Sequence, residues 1–330
     1  MFEPVRDFHN TLVYSVVVNV MFLNIKLPCA NVVVQITIFL RSIPQRIWKY
    51  KMTNWRDGNW LRRRALESIY HAKSGHPGGV LSCIDLIDTL FTKVMDVSVN
   101  NLNTLERDRF ILSKGHSAPA LYAVAAKIGI IDVERLNGLR KLGHELQAHT
   151  HRGSTPWVEA STGSLGQGFS FAIGEAKGFQ LLNIKRRVFV MLGDGEIQEG
   201  QVWEGAMFSS HHKLTNLCAI LDYNKLQSDD TNENILSLEP LSSKWASFGW
   251  NVIEVDGHDH SKIEHAILDA DRCDKKPTII IAHTIKGKGV SFMENSPRWH
   301  GSVKIKKDDF VNSLKELGAS SSDIERALHG

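Results

Sequence analysis

Residues 188–196 read VFVMLGDGE and residues 217–226 read LCAILDYNKL, and these two stretches decide the fold. Each is an apolar run of strand length that ends in residues with side-chain oxygen atoms. The segment 198–212 between them has the length of a helix, with four apolar residues at the spacing of one buried face: Val202, Trp203, Ala206 and Met207. The sequence therefore predicts a strand, a helix and a second strand parallel to the first.

Both predicted strands end in potential metal ligands. Because a right-handed strand-helix-strand unit brings both strand ends to one edge of the sheet, where ligands bind, Asp194 and Asn224 are expected to lie close together. A carboxylate, an amide oxygen and the backbone carbonyl of Leu226 suit a hard cation such as Mg²⁺. Gly193 and Gly195 let the backbone approach a phosphate closely. An ordinary tight turn after a buried strand is the alternative interpretation.

The complete motif indicates a family. Residues 193–200, GDGEIQEG, together with Asp222-Tyr223-Asn224, resemble the diphosphate-binding motif of thiamine diphosphate enzymes, and their detail is similar to transketolase. The resemblance extends from about Asn59 to Gly301. It implies the thiamine diphosphate-binding α/β fold, with thiamine diphosphate and Mg²⁺ as cofactors. It also implies cofactor-binding roles for Gly193, Asp194, Gly195, Glu196 and Asn224, and metal-binding roles for Asp194, Asn224 and Leu226.

Composition and charge exclude several classes of protein. A hydrophobic share of 42% and a charged share of 23% are typical of a globular chain and not of a disordered one. Residues 1–51 carry four surplus positive charges, so the net +3 of the whole chain leaves −1 for the remainder, without the basic stripe of a nucleic-acid-binding protein. The cysteines lie too far apart for zinc binding and indicate reduced thiols in a cytoplasmic protein: Cys29, Cys83, Cys218 and Cys273.

Residues 1–51 differ in character from the rest. Polar residues interrupt the apolar segments 12–23 and 32–40 before either reaches membrane-spanning length, so no membrane association is expected. Glu3 and Asp7 oppose a secretory or mitochondrial targeting signal. We interpret 1–51 as an N-terminal appendage with Met52 as the functional start. Residues 52–330 are predicted to form one α/β domain, a parallel sheet with helices on both faces.

Further elements follow from the same patterns. Helices are predicted over 59–74, 82–94, 118–127, 169–182, 260–270 and 308–329, with a short helix ending near Phe248, and strands over 109–112, 251–255 and 277–283. The proline and glycines of 75–79 are expected to end the first helix. Glycines 163, 166 and 168 lie in a loop, but their spacing is not that of a dinucleotide-binding motif.

Four histidines occur in short loop segments: SGHPG (74–78), SKGH (113–116), LQAH (146–149) and WHG (299–301). A lone loop histidine is more often structural, but transketolases are similar at all four. The resemblance implies that His116 and His300 contact the cofactor or the reacting centre. It implies that His76 handles protons of substrate hydroxyls and that His149 reaches the C1 hydroxyl of the ketose. Cleaving a sugar carbon–carbon bond requires proton transfer at a hydroxyl, which suits such a set.

The resemblance extends to residues with weaker signals. Gly163 and Leu165 match backbone contacts to the cofactor. Glu199 and Glu204 match carboxylates that link cofactor sites across a dimer interface, although a solvated helix face is an equally good interpretation. Lys286 and Lys288 match a loop over the cofactor, but a solvated basic turn explains them as well, and they are not included as site residues. Three residues depart from the family pattern around His149: Ala148, Thr150 and Trp157.

The implied activity is that of a transferase of carbohydrate metabolism, typified by the pentose phosphate pathway. A two-carbon ketol unit moves from a ketose phosphate to an aldose phosphate, with thiamine diphosphate as the electron sink. A full transketolase is about twice this length, and no segment here resembles its pyrimidine-binding domain. We therefore expect an N-terminal subunit that is active only with a separate C-terminal subunit, in an α₂β₂ assembly.

Two other interpretations stay open from the sequence. One is the α subunit of a 2-oxo acid dehydrogenase, which shares the cofactor motif and also pairs with a separate chain. The other is a non-catalytic partner that keeps the fold while Trp157 blocks the site. The histidine set favours the sugar enzyme.

Overall fold

The computed structural model describes residues 16–17, 20–26, 33–39 and 57–329. The chain divides into two compact units, residues 1–51 and 52–330. In the first, β1 (Val16–Val17), β2 (Val20–Lys26) and β3 (Val33–Phe39) form an antiparallel sheet in that order. The appendage role of this unit stays a prediction, and Met52 and Cys29 lie outside the described residues.

The second unit is built on a five-stranded parallel sheet. Its strands are β4 (Arg109–Leu112), β5 (Val188–Gly193), β6 (Leu217–Tyr223), β7 (Asn251–Asp256) and β8 (Thr278–His283). They lie in the order β4-β5-β6-β8-β7. Every residue of β4, β5 and β6 is buried, as expected for parallel strands covered on both faces.

Helices cover both faces of this sheet. In chain order they are α1 (Gly58–Ala72), α2 (Pro77–Thr89), α3 (Ala118–Lys127), α4 (Gln167–Leu181), α5 (Gly200–His211), α6 (Asn232–Ile235), α7 (Leu241–Ser247), α8 (His260–Asp271), α9 (Lys307–Glu316) and α10 (Ser321–His329). Phe189 and Met191 pack in one core with α1, α2, α3 and α8, whereas Val190 and Leu192 pack in a second core with α4, α5 and α7. The predicted α/β fold is confirmed. Among the described residues, no helix has both the length and the apolarity to span a membrane.

The glycine-rich segment after α1 starts a helix, which corrects the prediction that the next helix begins at Ser82. α2 begins at Pro77, because proline fits the first turn of a helix, where its missing N–H costs nothing. Gly78 and Gly79 lie inside α2, and long-range packing explains the glycine at position 78, because a Cβ there would stand 3.0 Å from the carbonyl oxygen of Trp299. The predicted last turn, Leu90–Val94, is π-helical.

Two other predicted helices differ from the structure. The helix predicted over 198–212 runs over α5 and follows a 3-10 turn at Glu196–Gln198. Val202 and Ala206 are buried as predicted, but Met207 is 54% exposed, so assigning it to the buried face was wrong. The helical tail is broken between α9 and α10 by a turn at Gly318, whose φ of +75° favours glycine.

A close contact between α4 and the turn after β4 positions the site. A Cβ at Gly168, in the first turn of α4, would lie 2.7 Å from the Cα of Ser113. Real Cβ atoms do not approach backbone so closely, so only glycine lets α4 start against the end of β4.

We expect Gly168→Ala to destabilise the chain by about 1–3 kcal/mol, because the added methyl group must displace backbone. Gly174→Ala is the matched control in the same helix, where a Cβ would meet nothing within 4 Å. That substitution should stabilise the chain by about 0.5–1 kcal/mol, since alanine is the better helix former. Urea denaturation of the purified chain measures both. Equal effects of the two substitutions would contradict the packing role of Gly168.

Candidate functional site

The ends of β5 and β6 form the wall of a cavity. Gly193 pairs in register with Asp222, so the residues that follow the two strands emerge side by side. Asp194, Asn224 and Leu226 are buried and line the same cavity of about 110 Å³. The structure thus brings together the two side chains that were predicted to share a cleft.

Asp194 has a polar neighbour that sequence reasoning missed. One oxygen of Asp194 accepts a hydrogen bond from the Gly195 backbone N–H at 3.0 Å, and the other accepts one from the Asn232 amide at 3.1 Å. Burial, together with the charge of Asp222, raises the pKa of Asp194 to about 6. Within the described residues, the buried Oδ1 of Asn232 has no hydrogen-bond partner. A carboxylate beside an unpartnered amide oxygen suits a hydrated divalent cation.

A buried ion pair lies beneath the cavity. The Lys114 ammonium donates to Asp222, and both side chains are almost fully buried. Ser82 and Thr284 also donate hydroxyl hydrogen bonds to Asp222. Burial alone would raise the pKa of Asp222, but the Lys114 charge and these hydrogen bonds hold that pKa below its usual range. Sequence reasoning missed this pair, although Lys114 stands beside His116 and Asp222 ends a buried strand.

Lys286 is a second buried cation at the cavity. Its side chain is 1% exposed, and its ammonium donates to the backbone carbonyls of Leu226 at 2.9 Å and Gln227 at 2.7 Å. It also lies 2.7 Å from Nδ1 of His300. Burial lowers the pKa of Lys286 to about 8, while the Asp194 carboxylate opposes that shift. The interpretation of this residue as a solvated basic turn was wrong.

The four predicted histidines form one cluster. The ring centroids of His76 and His116 are 5.3 Å apart, those of His116 and His300 are 5.2 Å apart, and those of His76 and His149 are 6.1 Å apart. His116 and His300 line the cavity that holds Asp194. Four segments distant in sequence therefore place imidazoles at one edge of the sheet.

These imidazoles are neutral at pH 7. Burial and nearby cations lower the pKa of His76 to about 4 and the pKa of His300 to about 3. Burial also lowers the pKa values of His116 and His149. Because Nδ1 of His300 accepts from the Lys286 ammonium, the ring proton of His300 is assigned to Nε2. Neutral imidazoles can accept or donate a proton at a hydroxyl group.

The loop at residues 162–166 joins the histidines to the cavity. Leu165 lines the cavity, whereas Gly163 lies against His149, where a Cβ would stand 3.1 Å from the ring. The φ angles of Gly163 and Gly166, +142° and +79°, require glycine. Thr150 ties the His149 loop to this segment, because its hydroxyl and that of Thr162 are 2.6 Å apart. The family departure at position 150 thus has a structural role.

Glu196 connects three segments of the site. Oε1 of its carboxylate accepts from the Ser113 hydroxyl and from the Gly166 backbone N–H at 2.9 Å, and Oε2 accepts from the Gly193 backbone N–H at 3.1 Å. Burial raises the pKa of Glu196, and these three hydrogen bonds oppose the shift. Glu196 lines the cavity, but its oxygens are engaged by the protein and position the loop around Gly166.

Trp157 points into the apolar core. Its indole meets the ring of Tyr122 at 6.1 Å in an edge-on contact and lines a small internal cavity with Phe91 and Phe110. The structure thus overturns the idea that Trp157 blocks the site.

Glu199 and Glu204 do not reach the cavity. Both are exposed, Glu199 at the start of α5 and Glu204 one turn further along that helix. Exposed apolar side chains of α4 and α5 include Phe171, Met207 and Phe208. The role of these two carboxylates across a dimer interface therefore stays a prediction.

Comparison with known proteins identifies the family. Residues 56–324 match the family model described as the thiamine diphosphate binding domain of transketolase. The chain belongs to this family. The match covers the strand ends, all four histidines and Lys286.

Relatives include subunits of transketolases. The chain is 40% identical over 259 residues to the 6-deoxy-6-sulfo-D-fructose transketolase subunit SqwG of a Clostridium species, covering 78% of this chain and 94% of that one. It is 36% identical over 269 residues to an apulose-4-phosphate transketolase subunit of Phocaeicola vulgatus, covering 82% and 95%. A mutant transketolase of Pichia stipitis in complex with fructose 6-phosphate superimposes with a TM-score of 0.76 at 27% identity, covering 84% of this chain and 43% of that one.

These matches favour transketolase over the α subunit of a 2-oxo acid dehydrogenase. The chain spans nearly the full length of the subunit relatives but less than half of the Pichia stipitis enzyme.

We expect Glu196→Gln to destabilise this transketolase chain by about 2–4 kcal/mol, because an amide cannot accept all three hydrogen bonds and leaves buried donors unpaired. Glu199→Gln makes the same change three residues later on an exposed side chain and should stay within about 0.5 kcal/mol of wild type. Chemical denaturation followed by circular dichroism compares them. Equal stability of Glu196→Gln and wild type would contradict the positioning role of Glu196.

Proposed function

We propose that this chain is the cofactor-binding subunit of a two-chain transketolase, which moves a two-carbon ketol unit from a ketose phosphate to an aldose phosphate. The proposal rests on two sets of residues that line one cavity. Asp194, Asn224 and Leu226 have the oxygen atoms of metal ligands, and His116 and His300 line the same cavity. One set suits a diphosphate with its metal, and the other suits proton transfer at sugar hydroxyls.

Mg²⁺ would be held by the side chains of Asp194 and Asn224 and by the carbonyl of Leu226. Support comes from their shared cavity and from the unpartnered amide oxygen of Asn232. Gly193, Gly195 and Lys286 line the same cavity, where the positive charge of Lys286 would attract the diphosphate. When bound, thiamine diphosphate supplies the electron sink for carbon–carbon cleavage.

The histidines would move the protons. We assign proton transfer at the substrate hydroxyls to His76, contact with the C1 hydroxyl to His149, and contact with the reacting centre to His300. Neutral rings support this assignment, because each ring then has one nitrogen that accepts and one that donates. His116 would contact the cofactor, and Lys286 would hold the tautomer of His300 through Nδ1.

A second subunit completes the proposed enzyme. The chain covers 94% and 95% of two relatives that are named as subunits but 43% of a transketolase of Pichia stipitis. The exposed apolar side chains of α4 and α5, among them Phe171, Met207 and Phe208, provide an apolar surface of the kind that partners cover. We propose an α₂β₂ assembly in which Glu199 and Glu204 act across subunits, together with a cytoplasmic location.

The proposed donors are ketoses with an anionic terminus. The names of the two relatives specify 6-deoxy-6-sulfo-D-fructose and apulose 4-phosphate, which end in a sulfonate and a phosphate. A phosphorylated or sulfonated ketose is therefore the substrate class that we assign to this chain.

We expect Asn224→Ala to weaken Mg²⁺-dependent binding of thiamine diphosphate to the full chain roughly tenfold or more, because one metal ligand is lost. Asn234→Ala is the control, since Asn234 is exposed and bonds to Asp230. Calorimetry with Mg²⁺ and with EDTA measures both variants. Equally tight binding to wild type in EDTA would refute the metal site.

We expect the purified chain to show no turnover of a ketose phosphate with Mg²⁺, thiamine diphosphate and an aldose acceptor, because the groups of the second subunit are missing. Adding the C-terminal subunit should produce turnover. A coupled assay of the aldose product measures the rate in both cases. Clear turnover by this chain without another polypeptide would refute the two-chain proposal.

A further inference from the structure

A second cavity opens beside the cofactor cavity. It has a volume of about 460 Å³, and His300 and Ser228 line both cavities. His76 also lines the second cavity, and both histidines are half-buried, whereas Arg298 and Asp229 line it as exposed residues. The second cavity, which we call the donor cavity, therefore runs from half-buried imidazoles to an exposed guanidinium.

Arg298 lies in a turn that is held in place by a buried residue. It occupies the middle of the 3-10 turn Pro297–Trp299, and Trp299 is buried. The indole N–H of Trp299 donates to the Phe292 carbonyl at 3.1 Å. The backbone carbonyl of Trp299 lies against Gly78 of α2. Since the chain on the C-terminal side of Arg298 is fixed in this way, the distance from the Arg298 backbone to His300 is fixed as well.

The guanidinium of Arg298 is uncommitted. Within residues 57–329 no carboxylate lies within ion-pair distance of it, and it makes no hydrogen bond to the described protein atoms. The other cations near the histidines are engaged: Arg140 donates to the Ser74 hydroxyl at 2.6 Å, and Lys286 is bound to backbone carbonyls. Arg298 is thus the cation of the donor cavity that is available to a ligand.

We propose that Arg298 determines donor specificity by binding the terminal oxyanion of the ketose, a phosphate or a sulfonate. This inference rests on the proposed function, since it places the carbonyl end of the ketose at His300. A guanidinium donates paired hydrogen bonds to an oxyanion. It contributes much less binding free energy to a ketose that ends in an uncharged hydroxyl group. Asp229, in the same cavity, repels anions and can accept a hydrogen bond from a sugar hydroxyl. The negative charge of the ketose is therefore recognised by Arg298.

The test uses the complex of this chain with its C-terminal subunit. This chain is either wild type or carries the substitution Arg298→Gln or Arg298→Lys. Donors are D-fructose 6-phosphate, 6-deoxy-6-sulfo-D-fructose and D-fructose, with glycolaldehyde as an uncharged acceptor. We expect Arg298→Gln to raise KM for both anionic donors roughly tenfold, with little change in kcat, because a charge-assisted contact is lost. The kcat/KM for D-fructose should stay unchanged, and Arg298→Lys should recover part of the loss.

Arg272→Gln is the matched control. Arg272 is an exposed arginine bonded to Asp269, and its neighbour Asp271 pairs with Arg187 at the amino ends of the strands, the edge of the sheet opposite the donor cavity. Its kinetics should equal those of wild type with all three donors.

Each other outcome overturns a defined statement. Unchanged KM values in Arg298→Gln, or an equal rise for D-fructose, would overturn the role of Arg298 and leave the proposed function standing. A loss of thiamine diphosphate affinity in that variant, measured by calorimetry on the full chain, would assign Arg298 to the cofactor instead. Absence of turnover of every ketose by the wild-type complex would overturn both proposals.

Discussion

The in-register pairing of β5 with β6 is the constraint on which the site depends. Parallel hydrogen bonding sets Gly193 opposite Asp222, and this register alone decides that Asp194 and Asn224 emerge next to each other. A shift by one residue would turn every side chain of one strand to the opposite face. The apolar side chains of β5 and β6 pack into two cores of different shape, so such a shift would exchange side chains between the cores and disrupt the packing of both.

Charge burial is the second theme of the structure. Lys114, Asp222, Asp194 and Lys286 are all almost fully buried within one edge of the sheet. Burying single charges is costly, and here the cost is offset by the Lys114–Asp222 pair and by hydrogen bonds from Ser82 and Thr284. The result is a polar cradle whose groups are oriented before any ligand arrives, so binding requires little rearrangement.

Sequence reasoning recovered what local patterns encode. The apolar runs of β5 and β6, and the ligand types that follow them, predicted the sheet edge and its cavity. It failed where distant contacts decide: position 78 needs glycine inside a helix because Trp299 leaves no room for a side chain, and Trp157 enters the core beside Tyr122. Lys286 has the sequence context of a surface turn but is buried, and the carbonyls of residues 226 and 227, distant in sequence, accept its hydrogen bonds.

The outer face of α4 and α5 has a consequence for how the cell handles this polypeptide. Phe171, Met207 and Phe208 stand in water on an isolated copy, and a chain in that condition is prone to self-association and to recognition by proteases. In the proposed two-chain enzyme, surplus copies of this chain would be lost, which creates a demand for matched synthesis of the two polypeptides. Genes that are transcribed together would meet that demand most directly.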